Sequence, residues 1–120
     1  MAAVMAATDS FVATQVLDEA TARRLAIVVE EIVANLIDHA AHGRDIAFRL
    51  HLEAGPRVTL EDDSTPFDPR SVALPELPDP EHGGGVGLAL VKAWTEIVSY
   101  DSAGGWNRLV LQFRAIDGAG

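Results

Sequence analysis

One stretch decides how this chain folds: Glu30-Glu31-Ile32-Val33-Ala34-Asn35-Leu36-Ile37-Asp38-His39-Ala40. It places Glu31, Asn35 and His39 at successive i, i+4 steps inside a segment with the apolar spacing of a buried helix. Four residues advance only about 40° beyond one full helical turn, so these three side chains form a stripe along the border of the apolar face. Boundary residues of an ordinary amphipathic helix would show the same spacing, and that alternative stays open here.

The helix extends from this stretch toward the N-terminus. Asp18 is suited to the N-cap and Glu19 to the first turn, where carboxylates interact favourably with the positive helix end. Apolar residues then repeat at steps of three and four, namely Leu25, Val28, Val29, Ile32, Leu36 and Ala40. The pattern predicts a helix over about residues 18–41, stopped by Gly43. Residues 1–16 have no clean period, and a short helix is the most that they predict.

Two hairpins follow. Apolar and polar residues alternate over 45–53, which predicts a strand with Ile46, Phe48, Leu50 and Leu52 facing inward. A turn at 54–56 leads to a partner strand at 57–61, and residues 96–100 and 106–113 predict a second hairpin around a turn at 101–105. With a helix at 86–95 between them, the sequence predicts an α+β fold. We expect a two-layer α/β sandwich whose mixed, mainly antiparallel sheet has at least four strands, with helices on one face.

Three further segments contain residues suited to ligand binding. Carboxylates cluster at the end of a strand in Glu61-Asp62-Asp63-Ser64, which a solvated turn would also explain. Five of the six prolines lie at positions 66–80 and predict a surface loop, either functional or disordered. Glycines precede a helix in Gly83-Gly84-Gly85-Val86-Gly87-Leu88, where backbone amides and the helix end attract anions. A flexible hinge is the alternative for that segment.

Composition limits the possible classes of protein. With 120 residues, 48% of them hydrophobic, we expect a single domain over residues 1–120. Nine Lys+Arg against eighteen Asp+Glu give a net charge of −9, so direct binding to nucleic acid is not expected. The chain has no cysteine, and we find no signal peptide and no apolar run near the roughly 18 residues of a membrane span. The expected location is the cytoplasm, without a membrane.

Together, the helix with Glu31 and Asn35, the acidic strand end at Asp62 and the glycine segment resemble the Bergerat, or histidine kinase-like (GHKL), ATPase fold. Gyrase, histidine kinases, large heat-shock chaperones and mismatch-repair ATPases share this fold. The chain is most similar to the single-domain anti-sigma-factor serine kinases over about residues 17–113. The first box, residues 31–40, is the most specific match, and the glycine box Gly84-Gly85-Val86-Gly87-Leu88 is the second.

The resemblance implies roles for individual residues. Asn35 matches the ligand of an Mg²⁺ ion that is bound together with ATP or ADP, and Glu31 matches the general base that activates a substrate serine. Asp62 matches the acceptor of the adenine amino group. The glycine box, with Gly85, Gly87 and Leu88, matches the nucleotide-phosphate loop, and residues of about 64–85 match a lid. His39 is then a structural residue near the helix end.

The same resemblance implies the partners. An anti-sigma kinase phosphorylates a small antagonist protein of the STAS type, binds a sigma factor or an analogous regulator, and regulates transcription by partner switching; a homodimer is possible. Ser64 departs from the family pattern, which has glycine two residues after the adenine-binding carboxylate. A serine there would narrow the adenine pocket or require a strained backbone.

Two other functions therefore stay open. The first is a regulatory binding module without catalysis, either gated by nucleotide or free of it. The second is the catalytic domain of a histidine kinase, which we rank last because 120 residues leave no room for a phosphoacceptor helix pair.

Overall fold

The fold is described from a computed structural model, which covers residues 1–40, 45–66 and 84–114. Within these residues the elements in chain order are α1 (Ala2–Thr14), α2 (Glu19–Ala40), β1 (Phe48–Glu53), β2 (Arg57–Asp62), α3 (Gly84–Trp94), β3 (Thr95–Ala103) and β4 (Trp106–Phe113). None of the helices in this part of the chain is long and apolar enough to cross a membrane.

Helix α2 begins where the sequence predicts. The backbone N–H of Thr21 donates to Asp18 Oδ1 at 2.7 Å, and the N–H of Ala22 donates to the Asp18 carbonyl at 3.0 Å. These bonds satisfy N–H groups of the first turn that have no acceptor within the helix. The N-cap prediction for Asp18 is confirmed.

Four strands form one sheet in the order β1-β2-β4-β3, and every neighbouring pair in the described residues is antiparallel. Both predicted hairpins are present. The second one has a shorter turn than predicted, because β3 continues to Ala103 and β4 starts at Trp106. Only Gly104 and Gly105 turn the chain, with φ of 63° and 83°. Two successive positive φ angles match the tight hairpin turn that glycine makes without steric cost.

The core lies between the sheet and the helices. Its buried members are Leu25, Val28, Val29, Ile32 and Val33 of α2, Val58 and Leu60 of β2, Val91 of α3, and Leu111 and Phe113 of β4. Helix α2 therefore packs over β2 and β4, the two central strands. The predicted α+β arrangement is confirmed, with the described helices contributing to one core against the sheet.

Helix α1 adds to this helical layer. Phe11 and Val12 pack against the core, and Thr8 is fully buried with its hydroxyl donating to the Val4 carbonyl at 2.9 Å. The helix has no strong amphipathic period, which explains why the sequence predicts so little for it. Its contacts with α2 and β1 make residues 2–14 part of the domain.

The Asp18 cap makes a pH-dependent contribution to stability. Its hydrogen bonds with Thr21, first the one to the backbone N–H, hold the pKa of the Asp18 carboxyl below its ordinary value of 3.8. A lowered pKa in the folded state means that ionised Asp18 stabilises the fold above the unfolded pKa, and that this contribution is lost as the pH falls through the folded value.

We predict that Asp18→Ala lowers the melting temperature at neutral pH, and that Asp18→Asn, which still caps but cannot ionise, lowers it less. The gap between wild type and Asp18→Asn should close in acid, because protonated Asp18 loses its charge. Thermal unfolding by circular dichroism at about pH 7 and about pH 2.5 measures both differences. A gap that stays constant with pH would contradict this role of the Asp18 charge.

Candidate functional site

The site is organised around Asp62, the last residue of β2. Alternation along the strand places Asp62 on the same face as Val58 and Leu60, so its carboxyl points to the side of the sheet that α2 covers. Its side chain is only 8% exposed. Its strand neighbours are Phe48 of β1 and Asn107 of β4.

The buried carboxylate of Asp62 is hydrogen-bonded through a single oxygen. Asn107 Nδ2 donates to Oδ1 at 3.0 Å, the backbone N–H of Ser64 donates to the same oxygen at 3.0 Å, and the Ser64 hydroxyl donates to it as well. Burying a carboxylate is costly unless hydrogen bonds compensate for lost water. These donors replace hydrogen bonds to water that the Asp62 carboxyl loses on burial.

The second carboxylate oxygen, Oδ2, is left open. It receives no hydrogen bond from the described residues, whose hydrogen bonds to Asp62 all end on Oδ1. In the same part of the chain, no fully buried side-chain nitrogen or oxygen lacks a partner, so Oδ2 must retain contact with solvent. An accessible carboxylate oxygen at the edge of an apolar core is an acceptor for an N–H group of a ligand.

Ser64 folds back on Asp62 instead of straining the chain. None of the described non-glycine residues has a positive φ, so the backbone at Ser64 does not adopt the left-handed conformation that would favour glycine. Of the two expected effects of a serine here, the strained backbone is absent, and the narrowed adenine pocket stays a prediction. The Ser64 side chain lies beside the carboxylate, to which its hydroxyl donates.

Asp63 has a different role from its neighbour. Its carboxylate accepts the backbone N–H of Ala47 at 2.8 Å, and its own N–H donates to the Ala47 carbonyl at 3.1 Å. These bonds continue the β1–β2 pairing past the end of the strands. Of the predicted carboxylate cluster, Asp62 faces the helices, and Asp63 extends the hairpin.

Glu31 and Asn35 lie half-buried on α2, beside the fully packed Ile32 and Val33. Neither polar side chain forms a hydrogen bond or ion pair with another residue in ranges 1–40, 45–66 and 84–114. The predicted position at the border of the core face is confirmed for both. The side chain of His39 lies outside the described part. Among the described residues, no three His, Asp or Glu side chains are grouped as a metal site.

Helix α3 begins at Gly84, two residues earlier than predicted. Gly85 and Gly87 therefore lie in its first turn and not in the loop before it. The N–H groups of the first three helical residues have no acceptor within the helix, and the helix end is positive, so the backbone at Gly84 and Gly85 forms part of a potential anion-binding end. The side chain of Leu88 and residues 67–83, most of the predicted lid, lie outside the described residues.

Two contacts hold α3 against the domain. Val91 belongs to the core, and its carbonyl accepts the Thr95 hydroxyl at 2.6 Å where the helix passes directly into β3. The Arg24 guanidinium lies over the Trp94 ring, 4.9 Å from its centroid, and so connects the end of α3 with the first half of α2. The helix that carries the glycine box is thus attached to the helix that carries Glu31 and Asn35.

Asn107 and Ser102 are site residues that the sequence did not predict. The Asn107 side chain is 3% exposed, and it donates to both Asp62 and the Ser64 carbonyl, the latter at 2.8 Å. The Ser102 hydroxyl donates to Asn107 Oδ1 at 2.7 Å. The polar Asn107 within an apolar strand pattern was the available signal, but its partner depends on the pairing of β4 with β2, which no local pattern shows.

We predict that Asn107→Ala lowers the free energy of unfolding by about 1–3 kcal/mol, because the buried Asp62 carboxylate loses a donor. Ser102→Ala serves as a control and should cost less, about 1 kcal/mol or below, since Ser102 lies at the exposed end of β3. Urea denaturation of both variants measures the difference. Equal stability of Asn107→Ala and wild type would show that the Asn107–Asp62 bond is not stabilising.

Comparison with known families agrees with the α+β fold. A family model described as histidine kinase-like ATPase domain matches residues 1–113. The match includes α1, whereas the resemblance inferred from the sequence motifs began at about residue 17. Among curated proteins none matches the chain.

Two similar solved structures come from the blue-light activated histidine kinase of Erythrobacter litoralis EL346. Its histidine kinase domain is 25% identical to this chain with a TM-score of 0.45, covering 78% of this chain and 47% of that one. A longer structure of the same kinase is 24% identical with a TM-score of 0.49, covering 81% of this chain and 31% of that one. The chain thus spans less than half the length of either structure.

Proposed function

Since residues 1–113 match its model, the chain belongs to the histidine kinase-like ATPase domain family, and we propose that it is an ATP-binding serine protein kinase of the anti-sigma type. It would transfer the γ-phosphoryl group of ATP to a serine hydroxyl of a small STAS-type antagonist protein. Family membership supports ATP binding. The serine kinase activity and the partners rest on the resemblance of residues 17–113.

The observation that carries the proposal is the open oxygen of the buried Asp62 carboxylate. Oδ1 is occupied by donors from Ser64 and Asn107, and Oδ2 remains accessible beside an apolar core. This arrangement suits the amino group of adenine, which offers N–H donors on a flat apolar ring. The base would bind here by one charge-assisted hydrogen bond and by apolar contact.

Glu31 and Asn35 supply the phosphate end of the site. The Asn35 amide oxygen is a hard ligand for Mg²⁺, which would be bound together with the nucleotide and would neutralise charge on its phosphates. Glu31, one helical turn earlier, is assigned as the base that orients the substrate serine and accepts its proton. Both side chains are half-buried and make no bond to other described residues, so they are available for these roles.

The first turn of α3 completes the assignment. Its free N–H groups, including that of Gly85, would donate to phosphate oxygens, and Gly87 and Leu88 belong to the same box. We assign residues of about 64–83 as the lid, without 84 and 85, which belong to α3. Phosphorylation of the antagonist would then decide whether the chain binds its sigma factor or analogous regulator. The chain would bind that partner as a monomer or as a homodimer.

Ser64 favours a second candidate function. Its side chain lies beside the carboxylate, where the family pattern has glycine, and so occupies space next to the acceptor of the base. A chain with weak or absent nucleotide affinity would act as a regulatory module that binds its partner without catalysis. Nucleotide affinity therefore separates the two candidates.

We predict that wild-type protein binds Mg-ATP and that Asn35→Ala weakens this binding at least about tenfold, because the ion loses its protein ligand. Asp38→Asn, an exposed change on the same helix, is the matched control and should bind like wild type. Isothermal titration calorimetry with Mg-ATP and Mg-ADP measures all three. Wild-type protein that binds neither nucleotide would reject the kinase and leave the second candidate.

We predict that Glu31→Ala reduces phosphorylation of the antagonist protein by at least about a hundredfold, while nucleotide affinity changes little, because general-base catalysis acts on the transferred group and not on nucleotide binding. Glu30→Ala, at the exposed neighbouring position, should keep wild-type activity. Transfer of labelled phosphate to a purified STAS-type partner is the readout. Undiminished transfer in Glu31→Ala would remove Glu31 from the mechanism.

A further inference from the structure

Asn107 has a directed set of hydrogen bonds. Its Oδ1 accepts the Ser102 hydroxyl at 2.7 Å, and its Nδ2 donates to Asp62 Oδ1 at 3.0 Å and to the Ser64 carbonyl at 2.8 Å. Rotating the amide by half a turn would bring the Asn107 oxygen against two acceptors. Donor and acceptor chemistry therefore selects the observed orientation, and the Ser102 hydroxyl reinforces it.

The network fixes the carboxylate of Asp62 in turn. A carboxylate oxygen has about two lone-pair sites, and Oδ1 already accepts from the Asn107 amide, the Ser64 N–H and the Ser64 hydroxyl. Donors arriving from β4 on one side and from the Ser64 turn on the other define the carboxylate plane. A ligand then meets one oxygen, Oδ2, in one direction.

We propose that Asn107, oriented by Ser102, is a positioning residue that aims Asp62 Oδ2 at the base, and that this network sets the preference for a purine with an exocyclic amino group. The inference rests on the proposed function, since it takes Asp62 as the acceptor of the base. Ser64 belongs to the same network. Its hydroxyl donates a hydrogen bond to the carboxylate, whereas a glycine would leave free space there.

The chemical consequence is a selectivity between bases, which the affinity for one nucleotide alone does not show. A preset acceptor strengthens binding of a base that donates an N–H at that point and does nothing for a base without one. Loss of the network frees the carboxylate to rotate, so the amino group loses its benefit. If Asn107 had a purely structural role, its loss would instead weaken the binding of both ligands by the same factor.

The experiment compares Mg-ATP with the Mg²⁺ complex of purine riboside triphosphate, which lacks only the amino group. Dissociation constants are measured by calorimetry for wild type, Asn107→Ala, Ser102→Ala and Ser64→Ala, with Ser99→Ala as control on the opposite face of β3. Wild type and Ser99→Ala should prefer ATP roughly tenfold or more, the value of a hydrogen bond to a charged group. In Asn107→Ala the ratio should fall to within about threefold, mainly through weaker ATP binding. Ser102→Ala should give an intermediate ratio.

A folded Asn107→Ala protein that keeps the wild-type ratio would overturn the inference while leaving ATP binding intact. If that variant does not fold, the Ser64→Ala/Ser102→Ala double variant replaces it, and an unchanged ratio there has the same meaning. Wild-type protein that binds both nucleotides equally refutes the inference alone. Wild-type protein that binds neither refutes the proposed function, and the inference with it.

Discussion

The packing of α2 on strands β2 and β4 is the constraint on which the rest of the structure depends. Five residues of the helix enter the core, and Leu60 and Leu111 meet them from the two central strands. Because side chains alternate along a strand, the register that turns Leu60 inward turns Asp62 inward too. A slip of one residue would expose Leu60 and remove Asp62 from the site. The same strand register thus buries the apolar side chains and turns the Asp62 carboxyl inward.

Four buried polar side chains of the described residues have hydrogen-bond partners. Asp62, Asn107, Thr8 and Thr95 are all at least nine-tenths buried, and each has hydrogen bonds within the described residues. The Thr8 and Thr95 hydroxyls bond to carbonyls one turn back in their own chain segments. Asp62 keeps one oxygen free of hydrogen bonds from the described residues, whereas Asn107 uses both ends of its amide.

Ser64 shows how one residue can change a motif without breaking the fold. A glycine at this point would leave the Asp62 carboxylate with fewer donors and the proposed adenine pocket with more space. The serine adds a hydroxyl bond and keeps an ordinary backbone conformation. Under the proposed function, its effect therefore concerns the direction in which the Asp62 acceptor points. The direction of the acceptor depends on hydrogen bonds, which the residue types of a motif do not reveal.

By itself, the sequence determined the elements whose signals are local: the Asp18 cap, the apolar face of α2, both hairpins and the α+β class. It also singled out Glu31 and Asn35 by their spacing, because a helical repeat follows from the backbone alone. It underestimated α1, which has no strong period, and it misplaced the start of α3, where glycines signal both loop and helix end. Only the tertiary structure decided that Asn107 faces Asp62, because strand register depends on contacts between residues 45 positions apart. For the same reason, only the fold decided which oxygen of Asp62 stays open.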